Sequence, residues 1–182
     1  MPIYDGGNAI VEYKVYMSPV SSTDYQLLAT TTDLNVEATG LNKGSLYYFH
    51  VTASNIIGES TPSVASSFLA AQAPSAPIQP QIVTQSATAI TIQWYEPENN
   101  GSNIDDYQVK MCSQEIEECS FALAASTTSG LLTYTTSGLV KGTFYQLKVQ
   151  AHNSIGFGAE SEALTAVAAN KPNQPLAPEN VE

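Results

Sequence analysis

Arginine is missing from this chain of 182 residues: its six basic residues are all lysine, set against 17 acidic ones, for a formal charge of −11. An acidic chain without guanidinium groups repels phosphate backbones and heparin-like polyanions, so nucleic acid and such polyanions are excluded as partners. An Arg-Gly-Asp integrin site is excluded within the segment for the same reason. Long apolar runs are also missing. No window reaches the ~18 consecutive apolar residues of a membrane span, so no membrane insertion is expected of this segment. No basic stretch followed by an apolar one opens the chain, so no signal peptide is visible.

Catalytic chemistry finds equally little. The two histidines are His50 and His152. His50 falls on the outward side of a strand-like run and His152 just before a loop, positions typical of surface residues rather than general bases. No serine sits in Gly-x-Ser-x-Gly, and no glycine-rich loop precedes a helix, because no stretch reads as a helix. Glu115, Glu117, Glu118 and the pair Asp105-Asp106 lack the alternating spacing of a calcium loop and read as a solvated acidic face. The expectation is no catalytic residue, no cofactor, no metal and no enzyme activity in this segment.

What is present is alternation. From Leu139 the chain runs LVKGTFYQLKVQAHNSIGFG to Gly158. Tyr145, Leu147, Val149 and Ala151 fall on one side; Gln146, Lys148 and Gln150 fall on the other. A period of two over this length predicts a half-buried strand, ended by the loop signal Asn153, Gly156, Gly158. The pattern occurs earlier as Leu41 to Gly58, with Tyr47, Phe49, Val51 and Ala53 on the buried side. Gly44 and Gly142 stand 98 residues apart, as do Pro74 and Pro172. Residues 1–16 and 97–109 also match, through Ile10, Tyr13 and Val15 against Ile104, Tyr107 and Val109, at an offset of 94. The chain is therefore two copies of one unit, of a length that can bury its own core.

Both copies resemble the sixth strand and following loop of the fibronectin type III domain. The matching residues are Leu41, Gly44, Ser45, Tyr47, Val51, Ala53, Asn55 and Gly58, and then Leu139, Gly142, Thr143, Tyr145, Val149, Ala151, Asn153 and Gly156. The resemblance implies an all-β fold: two fibronectin type III-like β-sandwiches in tandem, of the immunoglobulin-like kind, with Tyr47 and Tyr145 as tyrosine corners. It implies that Trp94, the sole tryptophan, is the core residue of the second strand. The first copy lacks the two opening strands, since its pattern begins at the loop that follows them. The expected domains are 1–71, N-terminally incomplete; a Pro-rich linker at 72–80; a complete domain at 81–170; and 171–182 as linker and start of a third repeat, with Pro172, Pro175 and Pro178 repeating Pro74, Pro77 and Pro80 before Asn180-Val181. This describes a window on a longer array, whose first module is completed by its own chain or by another. Remaining strands are expected at Tyr25–Ala29, Asn35–Ala38, Ser63–Leu69, Gln81–Thr84, Ala89–Trp94, Phe121–Ala125, Leu131–Thr135 and Ser161–Val167. The stretch Ala70–Pro80 reads as a semi-rigid connector that gives a rod.

Cys112 ends one strand and Cys119 precedes the next, so a hairpin brings them together. A disulfide closing so short a loop contributes somewhat under ~3 kcal/mol in the chain-entropy model; the alternative is two reduced thiols in a cytosolic module. Asn100-Gly101-Ser102 is an N-glycosylation sequon, although Asn-Gly is also what a turn demands. Apolar Ile56 and Ile57 in one loop, and Ile155 and Phe157 in the other, are candidate contact residues; packing on a neighbouring module is the preferred reading, because each loop lies near a domain end. The expected role is a non-catalytic spacer and protein–protein contact module of an extracellular or cell-surface protein, a structural or adhesive glycoprotein. The alternatives are an intracellular array associated with a filament or axoneme, implied by the resemblance of Asp5-Gly6-Gly7…Ile10…Tyr13 to the cytosolic fibronectin type III modules of giant muscle proteins, or the spacer of a secreted enzyme or surface receptor. The expected partners are other modules of the same chain or neighbouring subunits.

Overall fold

The computed structural model describes residues 5–19, 24–113 and 119–175. The acidic run Glu115, Glu117, Glu118 and the stretch from Pro178 through Asn180-Val181 lie outside them. The chain divides into two units, residues 1–72 and 73–182. Every regular element among the described residues is a strand.

The first unit is one antiparallel sheet. Its strands are β1 (Glu12–Ser18), β2 (Gln26–Thr31), β3 (Leu46–Asn55), β4 (Gly58–Glu59) and β5 (Ser66–Leu69). They run in the order β2-β1-β3-β4, with β5 also paired to β3. The second unit has two sheets. β6 (Gln81–Gln85), β7 (Ile90–Gln93) and β10 (Thr133–Thr135) make a three-stranded layer. β8 (Ile104–Ser113), β9 (Ala122–Thr128), β11 (Phe144–Asn153), β12 (Gly156–Glu160) and β13 (Leu164–Val167) make a five-stranded one.

The large sheets of the two units share one register. Tyr13 faces Ala53 and Val15 faces Val51 across β1 and β3. Tyr107 faces Ala151 and Val109 faces Val149 across β8 and β11. In the second unit the three-stranded layer covers this row, and Ile90, Ile92, Tyr107, Val109, Leu147, Val149 and Ala151 are all 0% exposed. Alternation buried one side of β11 because a second sheet lies over that side.

Among the described residues of the first unit, no second sheet covers the same row. Tyr47 is buried, yet Phe49, Val51 and Ala53, expected on the buried side, are only half-buried. The strand expected at Asn35–Ala38 is absent. Its counterpart, β10, pairs only with β7, and among the described residues of the first unit no strand stands in the place of β7; without a ladder partner a strand-like sequence stays unpaired. Other bounds differ by a few residues, with β5 and β13 beginning at Ser66 and Leu164 rather than at Ser63 and Ser161. The stretches read as loops after Asn55 and Asn153 return as short strands, β4 and β12. Of residues 72–80, expected as linker, those from 73 on belong to the second unit and pack on it: Pro74, Pro77 and Pro80 are buried, Ser75 N donates to the Glu98 carbonyl at 2.9 Å, and Gln79 Nε2 donates to the Ala163 carbonyl at 2.7 Å. A Cβ on Gly158 would collide with the Pro74 backbone, 2.9 Å from its carbonyl carbon, so glycine here lets that segment lie against β12.

Trp94 is 2% exposed in the second unit, so its fluorescence reports on that unit. Leu147→Ala should destabilise the transition followed by Trp94 by about 3 kcal/mol in a denaturant titration, as expected for a fully buried leucine. Phe49→Ala, at the equivalent place in the first unit, should leave that transition unmoved.

Candidate interaction surface

Two devices recur in both units and hold the loops that carry exposed apolar groups. The first is a tyrosine hydroxyl that accepts a backbone N–H five residues upstream. Asn42 N donates to Tyr47 Oη and Val140 N to Tyr145 Oη, each at 3.0 Å. The chain reverses just before β3 and β11 through Gly44 and Gly142, at φ of 78° and 86°. A left-handed turn of this kind favours glycine. The hydroxyl ties the turn back to the strand it feeds.

The second device is an asparagine at the far end of the same strand. Asn153 is 0% exposed. Its Oδ1 accepts from Ile155 N at 2.9 Å and Gly156 N at 3.3 Å. Its Nδ2 donates to the carbonyls of Asn99 and Ser102 at 3.0 and 3.2 Å. Asn55 repeats the arrangement: Oδ1 accepts from Ile57 N at 2.9 Å and Gly58 N at 3.3 Å, and Nδ2 donates to the Asp5 carbonyl at 2.9 Å. Each asparagine thus shapes the β3–β4 or β11–β12 turn and fastens it to the loop before β1 or β8. The turns project Ile56 and Ile57, 77% and 78% exposed, and Ile155, 52% exposed. Phe157, already on β12, is 44% exposed and lies 4.4 Å, ring to ring, from His152. The residue pattern marks Asn153 as a loop signal; its four bonds, and the three of Asn55, form only when the two loops meet.

The outer faces are polar. Glu160 bridges Lys110 at 2.6 Å and Lys148 at 3.3 Å, and the Lys110 ammonium, with Lys148 beside it, holds the Glu160 carboxyl below its ordinary range. Lys148 also sits 4.5 Å from the Phe121 ring centroid. In the first unit Lys14, Thr52 and Tyr16 donate to Glu59. The Lys14 bond lowers the Glu59 carboxyl, and the same bond raises the Lys14 ammonium. His50 is not the free surface residue expected; it is half-buried between Tyr25 and Tyr16, with ring centroids at 4.2 and 5.0 Å. His152 Nδ1 lies 2.7 Å from Asp105 Oδ1. Among the described residues no cluster of side chains is arranged to hold a metal ion, and no helix is long and apolar enough to cross a membrane.

Cys112 and Cys119 are joined in a disulfide, their Cα atoms 5.8 Å apart, a spacing that bridged cysteines adopt. Asn100 sits at φ 54° in the turn before β8. Its Nδ2, the atom a glycan would occupy, donates to the Ala73 carbonyl at 2.9 Å and the Ser75 hydroxyl at 3.3 Å. Trp94 packs on Tyr107 at 5.6 Å between ring centroids. Neither Trp94 Nε1 nor Tyr107 Oη meets a hydrogen-bond partner among the described residues. Burial, with Glu96 nearby as a lesser cause, pushes the Tyr107 phenol up to about 12.

Residues 73–167 match the family model of the fibronectin type III domain. The chain belongs to that family. It is 28% identical over 171 residues to human fibronectin type-III domain-containing protein 3A, covering 91% of this chain and 14% of that protein. It is 34% identical over 166 residues to human myosin-binding protein C, cardiac-type, covering 87% of this chain and 13% of that protein. The chain thus spans about one seventh of the length of these relatives. A crystal structure of consecutive titin domains superposes with a TM-score of 0.57 at 19% identity, over 90% of this chain and 60% of that one; that likeness concerns the fold. Tandem modules of this family are structural and protein-interaction units.

Asn153→Ala removes four hydrogen bonds from a fully buried position. It should cost about 3 kcal/mol, read as an earlier Trp94 transition in denaturant. Tyr107→Phe removes a buried hydroxyl without a protein partner and should be neutral or stabilising by about 1 kcal/mol. Because the folded phenol titrates above its ordinary value of 10.0, at about 12, the folded state holds its proton more tightly than the unfolded chain. The stability this contributes is complete below pH 10 and is lost as pH rises toward 12. Alkaline denaturation of the parent, followed at Trp94, should show that loss, and Tyr107→Phe should lessen it.

Proposed function

We propose that this chain is a non-catalytic stretch of an extracellular or cell-surface array, in which consecutive modules act as spacers and present loops for contact with other protein modules. The observation that carries the compartment is the Cys112–Cys119 disulfide between β8 and the approach to β9, a bond that persists in oxidising surroundings and is reduced in the cytosol. The contact role is supported by Ile56, Ile57 and Ile155, apolar side chains kept exposed on turns that two asparagines hold rigidly. A rigid turn loses little freedom on binding, which favours its use as a contact. Acidic composition and the lack of arginine direct such contacts to proteins rather than to polyanions.

The similarity to cardiac-type myosin-binding protein C favours a second reading, an intracellular filament-associated array. One measurement separates the two. Protein taken from its native source under an alkylating quench should show no modified cysteine until a reductant is added; Cys112 and Cys119 alkylated at once would overturn the extracellular reading in favour of the intracellular one. A hexose series on the peptide spanning Asn100 would support secretion independently, and such a glycan would have to displace a bond from Asn100 to Ala73 or Ser75.

A further inference from the structure

The charges of this chain are unevenly placed. Residues 60–95, between Glu59 and Glu96, carry none, and neither do residues 119–140, between Glu118 and Lys141. The fold brings these two runs together. β6 and β7 come from the first run and β10 from the second, so the three-stranded layer of the second unit is built wholly from uncharged residues. The five-stranded layer packed against it carries Asp105, Asp106, Lys110, Lys148 and Glu160.

Strand pairing sets out what this layer shows to solvent. Ile90, Ile92 and Trp94 point into the core at 0%, 0% and 2% exposure, so the alternate residues Thr91, Gln93 and Tyr95 point outward. Thr91 is paired with Thr84 on one side and Thr135 on the other, and Gln93 with Gln81 and Thr133. Paired residues share a face, which gives two cross-strand rows of hydroxyl and amide side chains. Trp94 N donates to the Leu132 carbonyl at 3.0 Å and carries the register on to Tyr95 and Leu131, 53% and 55% exposed. An uncharged sheet face with an exposed tyrosine and leucine at one end has the composition of an interface centre, where charged residues are depleted and aromatic ones enriched.

Charge selects the occupant. At a formal charge of −11, copies of this chain repel one another wherever their carboxylates meet. A cationic partner is drawn to those carboxylates and gains nothing from this layer. Two copies that meet through the layer bring no carboxylates face to face. The face is also self-complementary: each threonine hydroxyl and glutamine amide both donates and accepts, so a two-fold axis can lay the face on itself with its polar groups paired. A wholly apolar partner would leave those groups unpaired. We propose that the outer face of the β6–β7–β10 layer is a self-association surface, on which a second copy of this chain lays the same face, with Tyr95 and Leu131 as its apolar contact. The layer is small, so a single contact is weak; in an array such as the one proposed above, repeated contacts between neighbouring molecules add up. The surface is separate from the loops at Ile56, Ile57 and Ile155, and its failure would leave the spacer reading standing.

The test is sedimentation equilibrium of the full 182-residue chain, at concentrations up to about 1 mM. A reversible dimer should strengthen as salt rises from about 0.01 M to about 1 M, because the screening length falls from about 30 Å to about 3 Å and the repulsion between acidic copies falls with it. Gln93→Glu, on the middle strand of the face, should weaken the dimer on the order of tenfold or more by setting like charges against each other. Thr133→Glu, on the neighbouring strand, should do the same, and the denaturant transition followed at Trp94 reports that each variant is folded. Gln108, between the buried Tyr107 and Val109, faces outward from the other sheet; Gln108→Glu adds the same charge there and should leave the dimer as strong as the parent's. A chain that stays monomeric throughout overturns the proposal, and so does a dimer that salt weakens. A dimer that responds equally to Gln93→Glu and Gln108→Glu, or to neither, also overturns it, since another surface then makes the contact.

Discussion

A β-sheet with one apolar face has to lay that face against another layer, and this requirement shapes both halves of the molecule. In the second unit it is met. Seven apolar side chains from two sheets reach complete burial there, Trp94 lies on Tyr107, and β10 exists because β7 lies beside it. In the first unit the same strands, in the same register, hold together by their backbone ladders and by the polar outer face. The apolar row stays half-open, and the segment that should be a strand is not one. Burial of a residue such as Val51 is therefore decided by whether a second layer faces it. The alternation of its own strand only selects the side.

Local devices work regardless of that layer. The tyrosine hydroxyls of Tyr47 and Tyr145 bond to backbone at the same distance in both units. Asn55 and Asn153 shape their turns through the same pair of amides. These interactions join residues a few positions apart, or loops already adjacent in one sheet, so they form wherever the five-stranded sheet forms. The outer face is likewise self-contained. Glu59 and Glu160 each gather lysine and hydroxyl or second-lysine partners from neighbouring strands. Half-exposed pairs of this kind contribute little individually, and their main effect is to keep that face polar and solvated.

Much of this was legible in the residues. The two copies, the all-β class, the buried tyrosines and the inward side of β11 follow from a period of two and from turn signals at Gly142, Asn153 and Gly156, which act over a few residues. The short strands β4 and β12 were not legible, because a glycine-flanked turn carries the same signal whether or not the chain beyond it returns to the sheet. The half-burial of His50 was not legible either: its neighbours Tyr16 and Tyr25 come from β1 and from the approach to β2, and only the assembled sheet brings them together. The packing of Pro74 against Gly158 belongs to the same group, since it depends on a contact 84 residues away in the chain.

The sequence by itself determined which side of each strand is apolar, where the chain turns, that the surface is acidic without arginine, and that one module type occurs twice. The folded chain settles which of those apolar sides is covered, that residues 35–37 form no strand among the described residues, and that Asn153 is saturated with partners. The physical reason is range: patterning and turn chemistry act between near neighbours, whereas burial and strand pairing require a partner surface that a strand's own residues do not specify.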